Sequence, residues 1–423
     1  MKQKFGLIFL NCLLTIIYQL IYHYRPAADS LRYLQLADYY SYFILFDPST
    51  NCFGHSFYAA FLLLVGNILS NHYFIVGLIQ TVIFSLSAIF LIRELEIYYK
   101  RNLTGLLFLL FLVPEINIYN GYVLTESLSY SMILVVFGLG LKIVNHQVTS
   151  LSLWLLSLSM GFMILNRLET IVIYIPIFFL IFPKIRDGLV RHVSIIVSFT
   201  IIFLLFNGLK NYQIYKDFKF SAYNGGEVIY GGNNLNLDGS HHEFTRYMNQ
   251  LIPDNKIADF KKIVSLEECY SCPKRDSFYL KLAVEAWQAN PYQQMKVIPQ
   301  KIAKNWLLPG DFDIYTGDTT KTRGLQISNL LSSKYFGNNK MAPYKHLFYM
   351  LIHWALLLFI LIGMLKIRRN NRFQLSVLLT FFLFLLYSIP FCGLPRWHVE
   401  IFPLLIIAFF PAKSVRKINS YFY

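Results

Sequence analysis

The feature that most limits what this chain can fold into is the recurrence of long apolar blocks, such as Leu7 to Ile21, Phe74 to Ile92 and Leu375 to Ile389. Uncharged runs approaching about 20 residues match the hydrocarbon thickness of a bilayer and read as membrane-spanning helices. Composition agrees. Of the 423 residues, 56% are hydrophobic and only 14% are charged, whereas soluble domains average about 45–50% apolar and about 25% charged. The first block follows Met-Lys-Gln-Lys, which is also how a signal peptide can begin. It lacks a small-residue cleavage site and more spans follow, so a retained helix is expected.

Ten spans are predicted, at 5–24, 73–93, 103–120, 126–143, 150–166, 170–183, 191–209, 346–365, 373–392 and 398–412. The apolar stretch 57–69 holds thirteen residues, among them Gly66 and Asn67. That length suits a re-entrant or interfacial helix. Charge placement tests the choice, because cytoplasmic loops concentrate Lys and Arg. With ten spans and an inner N-terminus, inner segments carry sixteen Lys and Arg, including Arg93, Lys100, Arg186, Arg368 and Arg372. The short outer segments carry four: Arg25, Arg32, Arg167 and Arg396. Counting 57–69 as a span inverts every later loop and destroys this bias. The expected fold is therefore an all-α polytopic membrane protein of about ten transmembrane helices, with outer juxtamembrane helices and a small, mainly helical outer domain. Its modules are 1–209, with an outer first loop at 25–72, then an outer region at 210–345, then transmembrane helices at 346–423. Both termini fall in the cytoplasm, with the chain in the cytoplasmic (inner or plasma) membrane.

The first loop is rich in tyrosine (Tyr33, Tyr39, Tyr40, Tyr42, Tyr58), which favours the headgroup layer. In the outer region, helices are expected near 276–290 and 291–307, with Asp276 and Asn290 as cap candidates. The net charge of +15 is scattered over loops. No basic run is interleaved with stacking aromatics, which argues against a nucleic-acid partner. Five cysteines are too few for a disulfide scaffold. Cys12 and Cys392 sit in apolar blocks, and Cys269-x-x-Cys272, placed outside, favours a local disulfide over redox or zinc chemistry.

Asp29 lies just after the first span, in Arg25-Pro-Ala-Ala-Asp29-Ser-Leu-Arg32-Tyr33. A carboxylate there suits a general base for a hydroxyl or amine, and it also fits a helix cap. Glu126, in Thr125-Glu126-Ser127-Leu128, opens span four on the same side, where dipole capping is the alternative. Glu115 follows Pro114 near that surface. Arg167 and Arg396 stand in short outer turns, each with an acid nearby (Glu169, Glu400). Each suits either phosphate recognition through the guanidinium fork or an internal ion pair. The glycine- and asparagine-rich run Tyr223 to Gly239 offers tight turns, close backbone approach and amides for sugar hydroxyls. Asp311-Phe-Asp313 is a weak metal motif amid ordinary turns. His241-His242-Glu243 lacks metal-site spacing.

Together these motifs resemble the GT-C superfamily of polyprenyl-phosphate-sugar-dependent glycosyltransferases, which includes protein O-mannosyltransferases and lipid A aminoarabinose transferases. Asp29, Tyr33 and Ala37 match its Asp-x-x-x-Tyr-x-x-x-Ala-like run. Pro114 and Thr125 to Leu128 match its later outer helix end. Asn166-Arg167-Leu168-Glu169 keeps the Arg and Glu of a Thr-Arg-Pro-Glu-like turn. Gly232-Asn233-Asn234, Tyr279 to Ala283, Asn290-Pro291, Lys304-Asn-Trp306 and Arg396-Trp397 to Pro403 follow in the family's order. Ser30 stands where many protein O-mannosyltransferases have Glu, so the acceptor stays open. The resemblance implies an inverting transferase of the cell envelope. It would move a sugar from a polyprenyl-phosphate sugar to a glycolipid, glycan or protein acceptor at the outer face. Asp29 and Glu126 would be catalytic, and Arg167 and Arg396 would bind the donor phosphate. Tyr33, His55, Glu169, Asn233 and Asn234 would contact sugar or acceptor. No cofactor is required in principle, because a fixed Arg can stabilise a lipid monophosphate leaving group; a divalent metal is the minor possibility. The rival readings are an O-antigen-type polymerase or ligase using a lipid-diphosphate oligosaccharide, and a transporter.

Overall fold

A computed structural model describes residues 2–21, 30, 33–34, 37, 56–69, 73–223, 225–233, 252–266, 268–307, 342–390 and 395–409. Among them there are helices and no strands. The helices are α1 (Lys2–Ile21), α2 (Ser56–Leu69), α3 (Tyr73–Tyr99), α4 (Thr104–Phe111), α5 (Pro114–Gly121), α6 (Thr125–Asn145), α7 (Ser150–Asn166), α8 (Tyr174–Ile185), α9 (Leu189–Tyr215), α10 (Gly225–Asn233), α11 (Ile257–Val264), α12 (Glu268–Ala289), α13 (Pro291–Leu307), α14 (Ala342–Leu365), α15 (Arg372–Ser388) and α16 (Phe402–Phe409). Short 3-10 turns at Leu168–Ile173 and Pro395–Glu400 lead into α8 and α16.

Five helical segments are long and apolar enough to cross a membrane, the mark of a membrane protein. They lie at Phe74–Tyr99, Thr125–Asn145, Leu168–Ile185, Leu189–Tyr215 and Leu347–Leu365. Shorter apolar helices occupy Gly6–Leu20, Phe57–Gly66, Ser150–Asn166 and Arg372–Tyr387. Ten full-length spans are therefore not what the described residues contain. Ile201, Ile202, Leu205 and Leu209 on α9, and Leu358, Leu361 and Leu365 on α14, face outward. Such an apolar surface calls for a cover of lipid or protein.

The expected single span 103–120 is broken. Its halves, α4 and α5, meet at 63°, and Pro114 is the cause. Proline lacks an N–H and clashes with the preceding turn, so α4 stops and Pro114 opens α5 as its first residue. The break frees backbone carbonyls inside the bundle, where leaving them unpaired is costly. Buried amides repair it. Asn117 Nδ2 donates to the carbonyls of Phe111 (2.7 Å) and Val113 (3.1 Å). At the far end of α5, Gln80 Nε2 donates to Asn120 (2.9 Å) and Tyr122 (2.7 Å), and Gln19 Nε2 to Gly121 (2.8 Å). Tyr58 in turn donates to Gln80 Oε1 (2.7 Å). The polar residues of α1, α2 and α3 thus hold the broken helix. The aromatic core sets its depth: Phe84 packs on Phe111 and Tyr130, with centroids 5.9 and 5.2 Å apart.

Two expectations for the region 210–345 need correction. Residues 225–233 are helical despite four glycines, because α10 lies against α12. A Cβ on Gly226 would come within 2.0 Å of the Asp276 carbonyl oxygen. Asp276 is not a cap either: α12 starts earlier, at Glu268. Its carboxylate instead accepts from the Gly226 N–H (2.7 Å) and pairs with Lys219. Cys272 is buried and disulfide-bonded. The expected partner, Cys269, has its side chain outside the described set.

Candidate functional site

One end of the bundle gathers ionisable groups from segments remote in sequence. α7 ends at Asn166, and Arg167 follows in extended conformation (φ −151°, ψ 113°) before the 3-10 turn. Asn166 ties this exit to the start of α6, donating to the Thr125 carbonyl (3.1 Å) and Ser129 Oγ (2.7 Å). Arg167 is thereby placed among three carboxylates. Its Nη1 lies 2.9 Å from Glu126, and its Nε lies 2.6 Å from Glu169 and 3.0 Å from Glu400. Glu126 and Glu400 are fully buried, Arg167 nearly so, and Glu169 partly open.

A second cluster lies beside the first. The C-terminus of α13 has carbonyls with no helical partner, as every helix end does. Three ring nitrogens bond them: His398 Nδ1 to Asn305, His353 Nε2 to Trp306 (2.9 Å) and Trp354 Nε1 to Leu307 (2.6 Å). A carbonyl only accepts, so these nitrogens carry protons. The other ring nitrogens face one carboxylate. His353 Nδ1 is 3.0 Å from Glu115 Oε2, and His398 Nε2 is 2.9 Å from Glu115 Oε1. A ring lone pair and a carboxylate lone pair repel, so each contact needs a proton or a cation between the two atoms. The three ligand atoms lie within 4.8 Å of one another and form a group that could hold a metal ion. Two histidines and a carboxylate, each ring anchored by a backbone carbonyl, is a donor set suited to a divalent metal.

A narrow cleft joins the two clusters. Glu169, Glu400, His398, Asn305 and Tyr387 line it, and the space within admits a water-sized group.

The sequence-derived candidates fare differently. Glu126, Arg167 and Glu169 come together as described. Arg167, expected on a phosphate, is instead embedded in carboxylates, so the internal ion pair weighed as its alternative is what forms. Glu400, paired in sequence with Arg396, reaches Arg167. The backbone of Arg396 lies in the 3-10 turn, and its side chain falls outside the described set. Asp29, His55 and Asn234 also lie outside the described residues, as do Asp311, Asp313 and His241 to Glu243. Tyr33 is buried edge-on against Tyr58, with centroids 5.1 Å apart. Asn233 does not fit a sugar contact. Its Nδ2 donates to Ile229 and Pro390 (both 2.6 Å), and its Oδ1 accepts from Trp287 and Lys301 (both 2.9 Å). A carboxamide has two donors and two lone pairs, so Asn233 is saturated and serves to pin α10, α12 and α13 to the end of α15. Reading the sequence missed His353, an ionisable residue within an apolar span. That placement was the available signal, since such residues are costly and usually functional.

No family model, curated protein or solved structure matches the chain.

Proposed function

We propose that this chain is a membrane glycosyltransferase that moves a sugar from a polyprenyl-phosphate sugar to a glycolipid, glycan or protein acceptor at the outer face. The observation that carries the reading is the cleft at one end of the bundle, beside which carboxylates and two histidines from five helical segments converge with Arg167. Isolated surface charges explain no such gathering, since buried ions are costly unless paired. The basic inner loops and the disulfide-bonded Cys272 support an outer site, because disulfides persist in oxidising compartments.

In this reading Asp29 takes the proton of an acceptor hydroxyl or amine. The acceptor attacks the anomeric carbon in line and a new glycosidic bond forms with inversion. The bond from that carbon to the phosphate oxygen breaks, and its electron pair leaves on the lipid monophosphate. Arg396 is the phosphate partner, because Arg167 is committed to carboxylates. Arg167 holds Glu169 and Glu400 at the cleft wall, and Glu126, buried behind it, fixes the guanidinium.

The test uses membranes carrying the full chain, a radiolabelled polyprenyl-phosphate sugar and cell-derived acceptors. Label should move to the acceptor and Asp29→Asn should abolish the transfer. Transfer only from a lipid-diphosphate oligosaccharide would instead identify a polymerase or ligase.

A further inference from the structure

The cleft contains one residue that the fold itself leaves unsatisfied. Asn305 is 1% exposed, yet neither its Nδ2 nor its Oδ1 has a hydrogen-bond partner. An orphaned buried amide costs about 1–3 kcal/mol and calls for a reason, commonly a bound group. The backbone that carries it is held in place. His398 grips the Asn305 carbonyl and His353 the Trp306 carbonyl, and the Trp306 ring packs on Phe381, with centroids 4.8 Å apart. The residue thus stays in the cleft wall, with the donors and acceptor of its amide unused.

The neighbours decide what would satisfy it. Glu169 and Glu400 line the same cleft. Their carboxylates repel a phosphate and accept hydrogen bonds from hydroxyls. Tyr387 adds a phenol. An amide that gives and takes, next to groups that accept, matches vicinal hydroxyls, each of which is both donor and acceptor. The space within the cleft admits a group about the size of a water or a hydroxyl, so a sugar ring would stand at its mouth and reach in with its hydroxyls.

We propose that Asn305 is a specificity residue that binds the hydroxyls of the transferred glycosyl group, with the phosphate held elsewhere. This rests on the glycosyltransferase reading, but its test does not need transfer. The full chain in nanodiscs is melted alone, with polyprenyl phosphate, and with polyprenyl-phosphate-linked mannose, glucose, galactose and arabinose. A ligand that binds only the native state raises Tm. At least one glycoside should raise Tm beyond bare polyprenyl phosphate. Asn305→Leu, of similar shape, should weaken that glycoside's binding about tenfold or more while leaving the polyprenyl-phosphate shift in place. Without ligand, Asn305→Leu should melt higher than the wild type, because an unpaired amide is gone.

The proposal is overturned if no glycoside exceeds bare polyprenyl phosphate, or if Asn305→Leu binds glycosides normally. It is also overturned if Asn305→Leu melts lower without ligand, the outcome for an amide satisfied by an internal water. Glycoside binding without transfer would leave it standing and sink the transferase.

Discussion

Replacing Arg167 separates two roles for the same residue. Arg167→Met removes the cation from a site where Glu126 and Glu400 are buried and Glu169 is 22% exposed. Deleting one partner of a buried ion pair costs about 3–5 kcal/mol, because the remaining charge stays desolvated. Here the lost guanidinium serves two buried acids, and partly exposed Glu169 adds little. The expected loss is therefore within that range, reduced to the extent that the acids take up protons. Arg167→Lys should recover little, since a point ammonium cannot reproduce a planar fork that reaches three carboxylates. Pairing Arg167→Met with Glu400→Gln should restore part of the stability, because contacting residues do not add independently. The assay is denaturant unfolding in mixed micelles, followed by tryptophan fluorescence. A destabilisation below about 1 kcal/mol in Arg167→Met would refute the buried-cluster argument. If transfer were then also lost, Arg167 would revert to the phosphate role that its position in a short outer turn first implied.

The other predictions are more direct. Asp29→Asn should abolish transfer while leaving abundance and membrane insertion unchanged, as read by labelled product and immunoblot; retained transfer removes Asp29 as base. Cysteines introduced as Ser41→Cys and Asp187→Cys, with native thiols blocked first, should be labelled from outside and from inside respectively. Asp187 serves better than Gly188, whose φ of 88° penalises any side chain. Outside labelling of Asp187→Cys would invert the topology. Glu115, His353 and His398 should retain about one divalent ion per chain on elemental analysis after equilibration with zinc, and His353→Gln should lose it. Unchanged metal content in that variant would leave the contacts to ring protons alone. Gly226→Ala should lower Tm, because its methyl would strike the Asp276 carbonyl; an unchanged Tm would mean that α10 is not held against α12.

What could be read from the sequence follows the range of each interaction. Apolar blocks announce helices because one segment satisfies its own backbone, so the helix positions were legible. The Pro114 break was partly legible: proline before a polar Glu-Ile-Asn run marks a helix start, but a hydropathy window runs through it. The repair by Asn117 is local, whereas that by Gln19 and Gln80 joins segments dozens of residues apart. At the site, Arg167 and Glu169 stand two residues apart and could be paired from sequence. Glu126 is 41 residues from Arg167, and Glu400 belongs to the far end of the chain, so only the fold brings them together. The α10 helix was hidden for a different reason. Glycine lowers helix propensity, and the close approach to α12 that requires it at Gly226 is tertiary.

Asn233 and Asn305 show why residue type alone misassigns a site. Both are buried asparagines near the C-terminal end of α15, and the glycine-rich setting of Asn233 made it the better sugar candidate from sequence. In the fold Asn233 is saturated by four partners and Asn305 has none. The difference lies in the elements around them. Asn233 ends α10 where α12, α13 and α15 converge, so indole, ammonium and carbonyl groups reach it. Asn305 sits where two histidines have taken the carbonyls of its helix and left its side chain facing the cleft. The residue already satisfied by the protein stabilises the fold, and the one that is not is where a ligand gains most. Asn233→Ala should therefore lower Tm with or without a glycoside present. Asn305→Ala should chiefly remove the glycoside-dependent part, and the same loss in both variants would deny the distinction.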